Sequence, residues 1–219
     1  EEVRGTIHVT GNSGVDALLQ AMRPAGRKAP ALRKRILVTT HRRENQRERL
    51  RGICGALRRL AAELPVEILF LLHSNRRYHA PVMEELSGLD HIDVREADDH
   101  AEMVGLMQAS WLLLTDSGGM QEDGPVLGRP VLVLRNVTER IEAPHNIRLV
   151  GTDPDAIFGA VNELLMSSTA YEEMARPALP FGDGHASPRI AAIIADWLTT
   201  TSRAKTIART ARFSAAHRA

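Results

Sequence analysis

The sequence predicts an α/β protein built on a doubly wound parallel sheet, and three features of the chain support this fold class. Short apolar runs of strand length recur through the middle of the chain, such as VEILFLL and WLLLT. Between them lie stretches with apolar residues at helical spacing. Polar clusters follow four of the runs. Strands that alternate with helices are typical of parallel sheets, which bind ligands at the carboxyl ends of their strands.

The elements are predicted from the apolar runs, from helical spacing and from Gly and Pro stop signals. Six runs are predicted to be strands: Ile36–Thr40, Val66–Leu72, His91–Arg95, Trp111–Thr115, Val131–Leu134 and Ile147–Val150. Eight stretches are predicted to be helices: Val15–Met22, Arg47–Leu64, Pro81–Leu89, Ala101–Ala109, Met120–Leu127, Pro154–Met166, Ala170–Arg176 and Ser187–Leu198. Residues 135–140 form a polar turn that could open a helix, and we expect the tail 201–219 to be frayed helix or disordered.

Composition narrows the functional classes. With 219 residues, 43% of them hydrophobic, we expect one large domain, or one domain with appendages. The net charge of +1 gives no reason to expect nucleic-acid or membrane affinity. The single Cys54 excludes an internal disulfide, and no apolar stretch is long enough to span a bilayer, so we expect a cytoplasmic protein. Because the chain begins with Glu1, we also expect it to be part of a longer protein.

The most informative stretch is the turn Ser117-Gly118-Gly119, between a predicted strand and a predicted helix. Ser117 is a good N-cap residue, and the two glycines allow a ligand to approach the backbone closely. The start of a helix suits phosphate, and Glu122 or Asp123 could hold a ribose diol. The alternative is an ordinary capped turn.

Pro125 conflicts with the predicted helix that follows this turn. Proline removes a hydrogen bond from a helix interior, so we expect the helix to kink or restart there.

Three other polar clusters follow predicted strands. His41-Arg42-Arg43 could recognise a diphosphate, since arginine forms paired contacts with phosphate oxygens; a solvated basic loop is the alternative. His73 could be a ligand or an acid–base group, although a lone histidine at a strand end is more often structural. Arg140 could close over phosphates, or simply pair with a neighbouring glutamate. Four clusters on one edge of a sheet favour a shared binding site over chance loops.

Several common kinds of site are not indicated by the sequence. The nine histidines are scattered without metal-ligand spacing, and we expect no metal. The motifs GxxxxGK[ST], GxSxG and GxGxxG are absent, which argues against a P-loop, a serine hydrolase and hydride transfer.

The chain resembles the C-terminal half of the non-hydrolysing UDP-N-acetylglucosamine 2-epimerases. The resemblance extends to about Leu198, and HRREN together with TDSGG-QE makes it specific. The matching stretches are VTGNSGVDALL (Val9–Leu19), ILVTTHRREN (Ile36–Asn45), LTDSGGMQEDGPVLGRPVLVLRNVTERIEA (Leu114–Ala143), RLVGTD (Arg148–Asp153) and FGDGHAS-RI (Phe181–Ile190).

The resemblance implies two Rossmann-like domains that face each other across a cleft, as in the glycosyltransferase-B fold, with this chain supplying the second, UDP-binding domain. It also implies a reaction: UDP-GlcNAc is converted to UDP-ManNAc by anti elimination of UDP and re-addition. This route needs a stabilised diphosphate leaving group and a general base at C2. No cofactor is implied. Family members often form homodimers.

The resemblance also assigns roles to individual residues. It implies His41 as a catalytic residue near the diphosphate. The implied substrate-binding residues are Arg42, His73, Ser117, Gly118, Gly119, Asp123 and Arg140, with the three residues of the turn on the phosphates and Asp123 on the ribose.

The sequence departs from the family pattern at several positions. Asp123 replaces a usual glutamate, His73-Ser74-Asn75 replaces His-Pro-Asn, and Met103 stands where an aromatic residue is common. The first domain, which carries the proposed C2 acid–base groups in the family, does not fall within these 219 residues. We therefore expect this chain alone to bind UDP weakly and not to epimerise.

We predict a linker and first helix at 1–30, the UDP-binding domain at 31–186, a C-terminal helix at 187–200 and a flexible tail at 201–219. Three other functions stay open at this point: a stand-alone nucleotide-sugar binding module, a UDP-sugar glycosyltransferase of the same fold, and a hydrolysing epimerase, although HRREN argues against the last.

Overall fold

The computed structural model describes residues 5–22, 32–40, 48–72, 76, 79–97, 99–139 and 144–200. The helices in these ranges are α1 Ser13–Ala21, α2 Glu48–Glu63, α3 His79–Leu86, α4 His100–Ala109, α5 Gly118–Val126, α6 Pro154–Met166, α7 Ser168–Met174 and α8, residues 186–200. The strands are β1 Lys34–Thr39, β2 Val66–Leu71, β3 Ile92–Arg95, β4 Leu112–Thr115, β5 Val131–Val133 and β6 Ile147–Leu149.

The chain divides into two compact units. The larger unit is Ala17–Pro180 and contains the whole sheet. The smaller unit is built from the described parts of Glu1–Asp16 and Phe181–Ala219.

The six described strands form one sheet in the order β3-β2-β1-β4-β5-β6, and every pair of neighbours is parallel. The strand order reverses between β1 and β4, where Thr39 is the register partner of Thr115. Ligands of doubly wound sheets bind outside the carboxyl ends of the strands at such a reversal point. The topology therefore marks the ends of β1 and β4 as the place to look for a site.

Helices cover both faces of this sheet because its strands are apolar on both sides. Alternate residues such as Ile36, Val38 and Phe70 belong to the core that also contains the buried stripe of α2. On the opposite face, α5 packs closely against the sheet. A Cβ added at Gly124 would collide with Val131, which shows how close this packing is. This double cover is what the strand sequences predict.

The smaller unit contains a long-range helix cap. The Asp16 carboxylate accepts hydrogen bonds from the backbone N–H groups of Ala186, at 3.1 Å, and Ser187, at 2.6 Å, where α8 begins. Arg189 forms a two-pronged ion pair with Asp183, with N–O distances of 2.7 and 2.6 Å. The first residues of α8 are thus held by one carboxylate distant in sequence, Asp16, and by one local ion pair.

The predicted fold class is confirmed, and each predicted strand is present within one or two residues. The predicted restart of the helix at Pro125 was wrong, while the predicted kink stays a prediction. Helix α5 continues through Pro125 and ends at Val126, so the missing N–H falls in the last turn and does not split the helix.

Two further expectations from the sequence concern the polar turn at residues 135–140 and the tail at residues 201–219. Residues 135–139 are not helical, and the following residues 140–143, where this polar turn could open a helix, lie outside the described residues. The predicted tail, 201–219, lies outside the described residues. In the part of the chain that the structure describes, no helix combines the length and the apolar character needed to cross a bilayer.

Candidate functional site

The candidate site begins where β4 ends, beside the carboxyl end of β1. The side-chain oxygens of Thr39 and Thr115 lie 2.6 Å apart in a fully buried hydrogen bond that ties the two strand ends together. The chain then passes through Asp116, which is buried, and Ser117, and α5 begins at Gly118. The turn therefore lies at the reversal point of the sheet.

The main chain of Ser117 is held by internal hydrogen bonds. Its N–H donates to the Thr115 hydroxyl oxygen at 3.0 Å. Its carbonyl accepts from Gln121 twice, from the backbone N–H at 3.3 Å and from the side-chain Nε2 at 3.2 Å. These bonds fix the turn and leave the Ser117 hydroxyl out of the main-chain network.

Ser117 occupies the predicted N-cap position, but its side chain forms no capping hydrogen bond within the described part of the chain. The first N–H groups of any helix lack intrahelical acceptors and present a partial positive charge. The start of α5 thus combines a hydroxyl, helix amides and a positive dipole end. An anion suits this combination.

Packing against the described residues does not require glycine at position 119. Among the described residues, a Cβ added there would meet only the Ser117 Oγ, at 3.9 Å, which is an ordinary contact distance. Gly124, five residues later on α5, differs because a Cβ there would approach Leu113 Cδ1 to 3.2 Å and collide with Val131. Open space above Gly119 fits a ligand that approaches the backbone.

Asp123 lies four residues after Gly119, and residues at this spacing share one face of a helix about 6 Å apart along its axis. Burial, together with a smaller contribution from the negative charge of neighbouring Glu122, raises the pKa of the Asp123 carboxyl to about 6. A carboxyl group with this pKa is largely ionised at neutral pH. It can then accept hydrogen bonds from hydroxyl groups of a ligand.

The segment after β5, residues 135–139, contacts the same helix. Arg135 is buried and forms a two-pronged ion pair with Glu139, with N–O distances of 2.8 and 3.3 Å. The Thr138 hydroxyl donates to Gln121 Oε1 at 2.7 Å. The segment is therefore connected by a side chain to the helix that carries the turn.

No three His, Cys, Asp or Glu side chains among the described residues lie close enough together to hold a metal ion.

Residues 1–195 match the sequence model of the family described as UDP-N-acetylglucosamine 2-epimerase. The chain belongs to this family.

Relatives and solved structures agree with this epimerase assignment. A UDP-N-acetylglucosamine 2-epimerase of Yersinia pestis is 41% identical over 201 residues, covering 84% of this chain and 53% of that protein. A UDP-GlcNAc 2-epimerase of Neisseria meningitidis, solved bound to UDP-GlcNAc, superimposes with a TM-score of 0.78 at 34% identity, over 85% of this chain and 54% of that one.

A second solved structure agrees with the family assignment and with the extent of the match. The UDP-GlcNAc 2-epimerase of Methanocaldococcus jannaschii, in complex with UDP-GlcNAc and UDP, superimposes with a TM-score of 0.72 at 28% identity, over 86% of this chain and 54% of that one. The chain therefore spans about half the length of the curated relatives it matches.

Of the site residues predicted for this epimerase-family chain, four lie together on one turn and the helix that follows it. These are Ser117, Gly118, Gly119 and Asp123. The other four lie outside the described residues: His41, Arg42, His73 and Arg140.

The buried polar residues that support the turn of this epimerase-family chain were not predicted from the sequence. Thr39, Thr115 and Gln121 are fully buried, and each hydrogen-bonds within the site. A signal for two of them was available, because both ILVTT and WLLLT end an apolar strand with threonine. Nothing in the sequence pattern separated Gln121 from its acidic neighbours.

Proposed function

We propose that this chain is the UDP-binding half of a UDP-GlcNAc 2-epimerase, which interconverts UDP-GlcNAc and UDP-ManNAc. Three findings support the proposal: the family match over residues 1–195, the relatives solved with UDP-GlcNAc or UDP, and the open turn at the sheet reversal. The observation that carries most weight is the Ser117–Gly119 turn, because it presents an anion-binding helix start at the place where this fold binds nucleotides.

The turn would hold the diphosphate of UDP. In an elimination, the bond between the sugar and the diphosphate breaks, and negative charge grows on the departing phosphate oxygen. Helix amides and the Ser117 hydroxyl would already be in place at the helix start when this charge develops, so they would need little reorganisation. The same contacts would keep UDP in place until it is added back to the sugar.

Asp123 would bind the ribose hydroxyls. It follows Gly119 by one helical turn, which matches a ligand with its diphosphate at the helix start and its ribose farther along the same face. The aspartate carboxyl is one methylene shorter than the glutamate that is usual in the family, so the ribose would have to lie closer to the helix.

The remaining assignments rest on the family. His41 would act near the diphosphate as a catalytic residue, with Arg42, His73 and Arg140 as further substrate contacts. The acid–base groups at C2 would come from the other half of the enzyme. We also propose that the complete enzyme is a cytoplasmic homodimer, and that the domain bounds are those predicted from the sequence.

Calorimetric titration of the purified chain with UDP tests the proposal, with uridine as the comparison ligand. We expect saturable UDP binding that is much tighter than uridine binding, because the diphosphate supplies the contacts to the turn. Equal affinity for UDP and uridine would remove the role of the turn. No detectable UDP binding at millimolar concentration would overturn the proposal as a whole.

A further inference from the structure

Gln121 is a buried bridge between the turn and the segment 135–139. Its side chain is fully buried, so it cannot contact a ligand in the open site. Its Nε2 donates to the carbonyl oxygen of Ser117 at 3.2 Å, and its Oε1 accepts from the Thr138 hydroxyl at 2.7 Å. One amide group therefore connects two parts of the chain that are 21 residues apart in sequence.

Both ends of this bridge are on structures of fixed shape. On one side, the main chain of Ser117 is already held by Thr115 and by the backbone of α5. On the other side, the Arg135–Glu139 ion pair closes the segment on itself, and Arg135 is buried. Loss of the Gln121 bridge would therefore shift the Ser117 turn relative to the segment 135–139.

A glutamine is not required here for packing alone. Burying an amide costs free energy, and its hydrogen bonds do little more than offset that cost. Replacing both hydrogen-bond partners by apolar groups of similar shape can therefore leave the stability of the fold nearly unchanged. What the amide adds over an apolar side chain is direction, because its donor and its acceptor each fix one partner. The geometry therefore indicates a role in alignment.

On the basis of the function proposed above, we propose that Gln121 is a positioning residue for the diphosphate. It holds the Ser117 turn in register with the segment 135–139 through the Thr138 hydroxyl. The ligand would then meet a turn already in its binding conformation, and less of the binding free energy would be spent on ordering it.

Substitution at Thr138 tests this role, because Thr138 is only partly buried and the variant should fold. Thr138→Val removes the hydroxyl at constant shape, and we expect about a tenfold loss of UDP affinity, the size typical of a coupled hydrogen-bonded pair. Thr138→Ser keeps the hydroxyl and should bind UDP as the wild type does. Calorimetry measures the affinities, and circular dichroism checks the fold.

The double variant Gln121→Met with Thr138→Val separates alignment from stability. It removes both the Gln121 amide and the Thr138 hydroxyl, so no amide oxygen is left buried without its donor. We therefore expect the double variant to be thermally more stable than Thr138→Val, closer to the wild type, while its UDP affinity stays low. Wild-type affinity in Thr138→Val or in the double variant would overturn the positioning role alone. A wild-type chain that binds no UDP would overturn the proposed function, and the positioning role with it.

Discussion

At the residue scale, two glycines of α5 show how far sequence pattern and packing explain the site. Gly124 is required by the sheet beneath it, since a Cβ there would collide with Val131. Gly119 has open space above it among the described residues, and under the proposed function this space is where the diphosphate would approach. The sequence indicated a close backbone approach at Gly119, but only the structure separates the reasons for the two glycines.

The raised pKa of Asp123 leads to a prediction about pH. With a pKa of about 6, most of this carboxyl is protonated at pH 5 and ionised at pH 7.5. In the proposed site the ionised form would accept hydrogen bonds from the ribose hydroxyls, so we expect affinity to rise up to about tenfold between these two pH values. Asp123→Asn should bind more weakly at pH 7.5 and lose most of this rise.

UDP-GlcNAc is the right ligand for this measurement. A terminal phosphate titrates near pH 6 and would mimic the aspartate, whereas the diphosphate of UDP-GlcNAc is substituted at both ends. Affinity measured by calorimetry at the two pH values checks the prediction. An Asp123→Asn variant that keeps the full pH dependence would show that another group is responsible.

The sequence could not predict the pKa of Asp123. It showed a carboxylate pair at positions 122 and 123, but the shift arises mainly from burial, which depends on how α5 lies against the rest of the larger unit. Gln121 is a similar case, because its two partners, Ser117 and Thr138, are brought to it by the fold.

At the scale of elements, the ends of β1 and β4 are joined by the Thr39–Thr115 hydrogen bond, and Thr115 also accepts from the Ser117 N–H. Removing the Thr115 hydroxyl leaves the buried Thr39 hydroxyl and the partly buried Ser117 N–H without this partner, and an unsatisfied buried group typically costs about 1–3 kcal/mol. We therefore expect Thr115→Val to lower the free energy of unfolding by about 2 kcal/mol in denaturant titrations.

Thr199→Val is the matched control for this change. Thr199 is exposed on α8, and its hydroxyl bonds only to carbonyl oxygens of its own helix among the described residues, Ala195 and Asp196. The same chemical change there should alter stability by less than about 0.5 kcal/mol. If both variants unfolded at the same denaturant concentration, the hydrogen bonds at the strand ends would contribute no more to the free energy of unfolding than an exposed hydroxyl does.

Elements were the easiest scale to predict. Strand and helix positions followed from apolar periodicity because both faces of the sheet are covered. Pro125 misled because the general rule concerns helix interiors, and the helix ends one residue later. The segment 135–139 takes its non-helical shape alongside tertiary contacts, such as Thr138 with Gln121, that no local pattern shows.

At the scale of the whole molecule, the strand order places the turn at the sheet reversal, and the relatives are about twice as long as this chain. We expect the purified chain to bind UDP and to form no UDP-ManNAc from UDP-GlcNAc, because the family carries its C2 acid–base groups in the other half. Proton NMR of the anomeric signals gives the product directly. Measurable UDP-ManNAc would contradict this prediction, because it would show that these 219 residues contain all the groups needed for epimerisation.

The most direct test of the central claim is UDP titration of Gly119→Ala beside Gly159→Ala. Both glycines are helical with room for a Cβ, so both variants should be as stable as the wild type or slightly more stable. We expect Gly119→Ala to bind UDP at least about tenfold more weakly, since its methyl group would lie where the diphosphate approaches, and Gly159→Ala to bind normally. A folded Gly119→Ala variant with wild-type UDP affinity would contradict the claim that this turn holds the diphosphate.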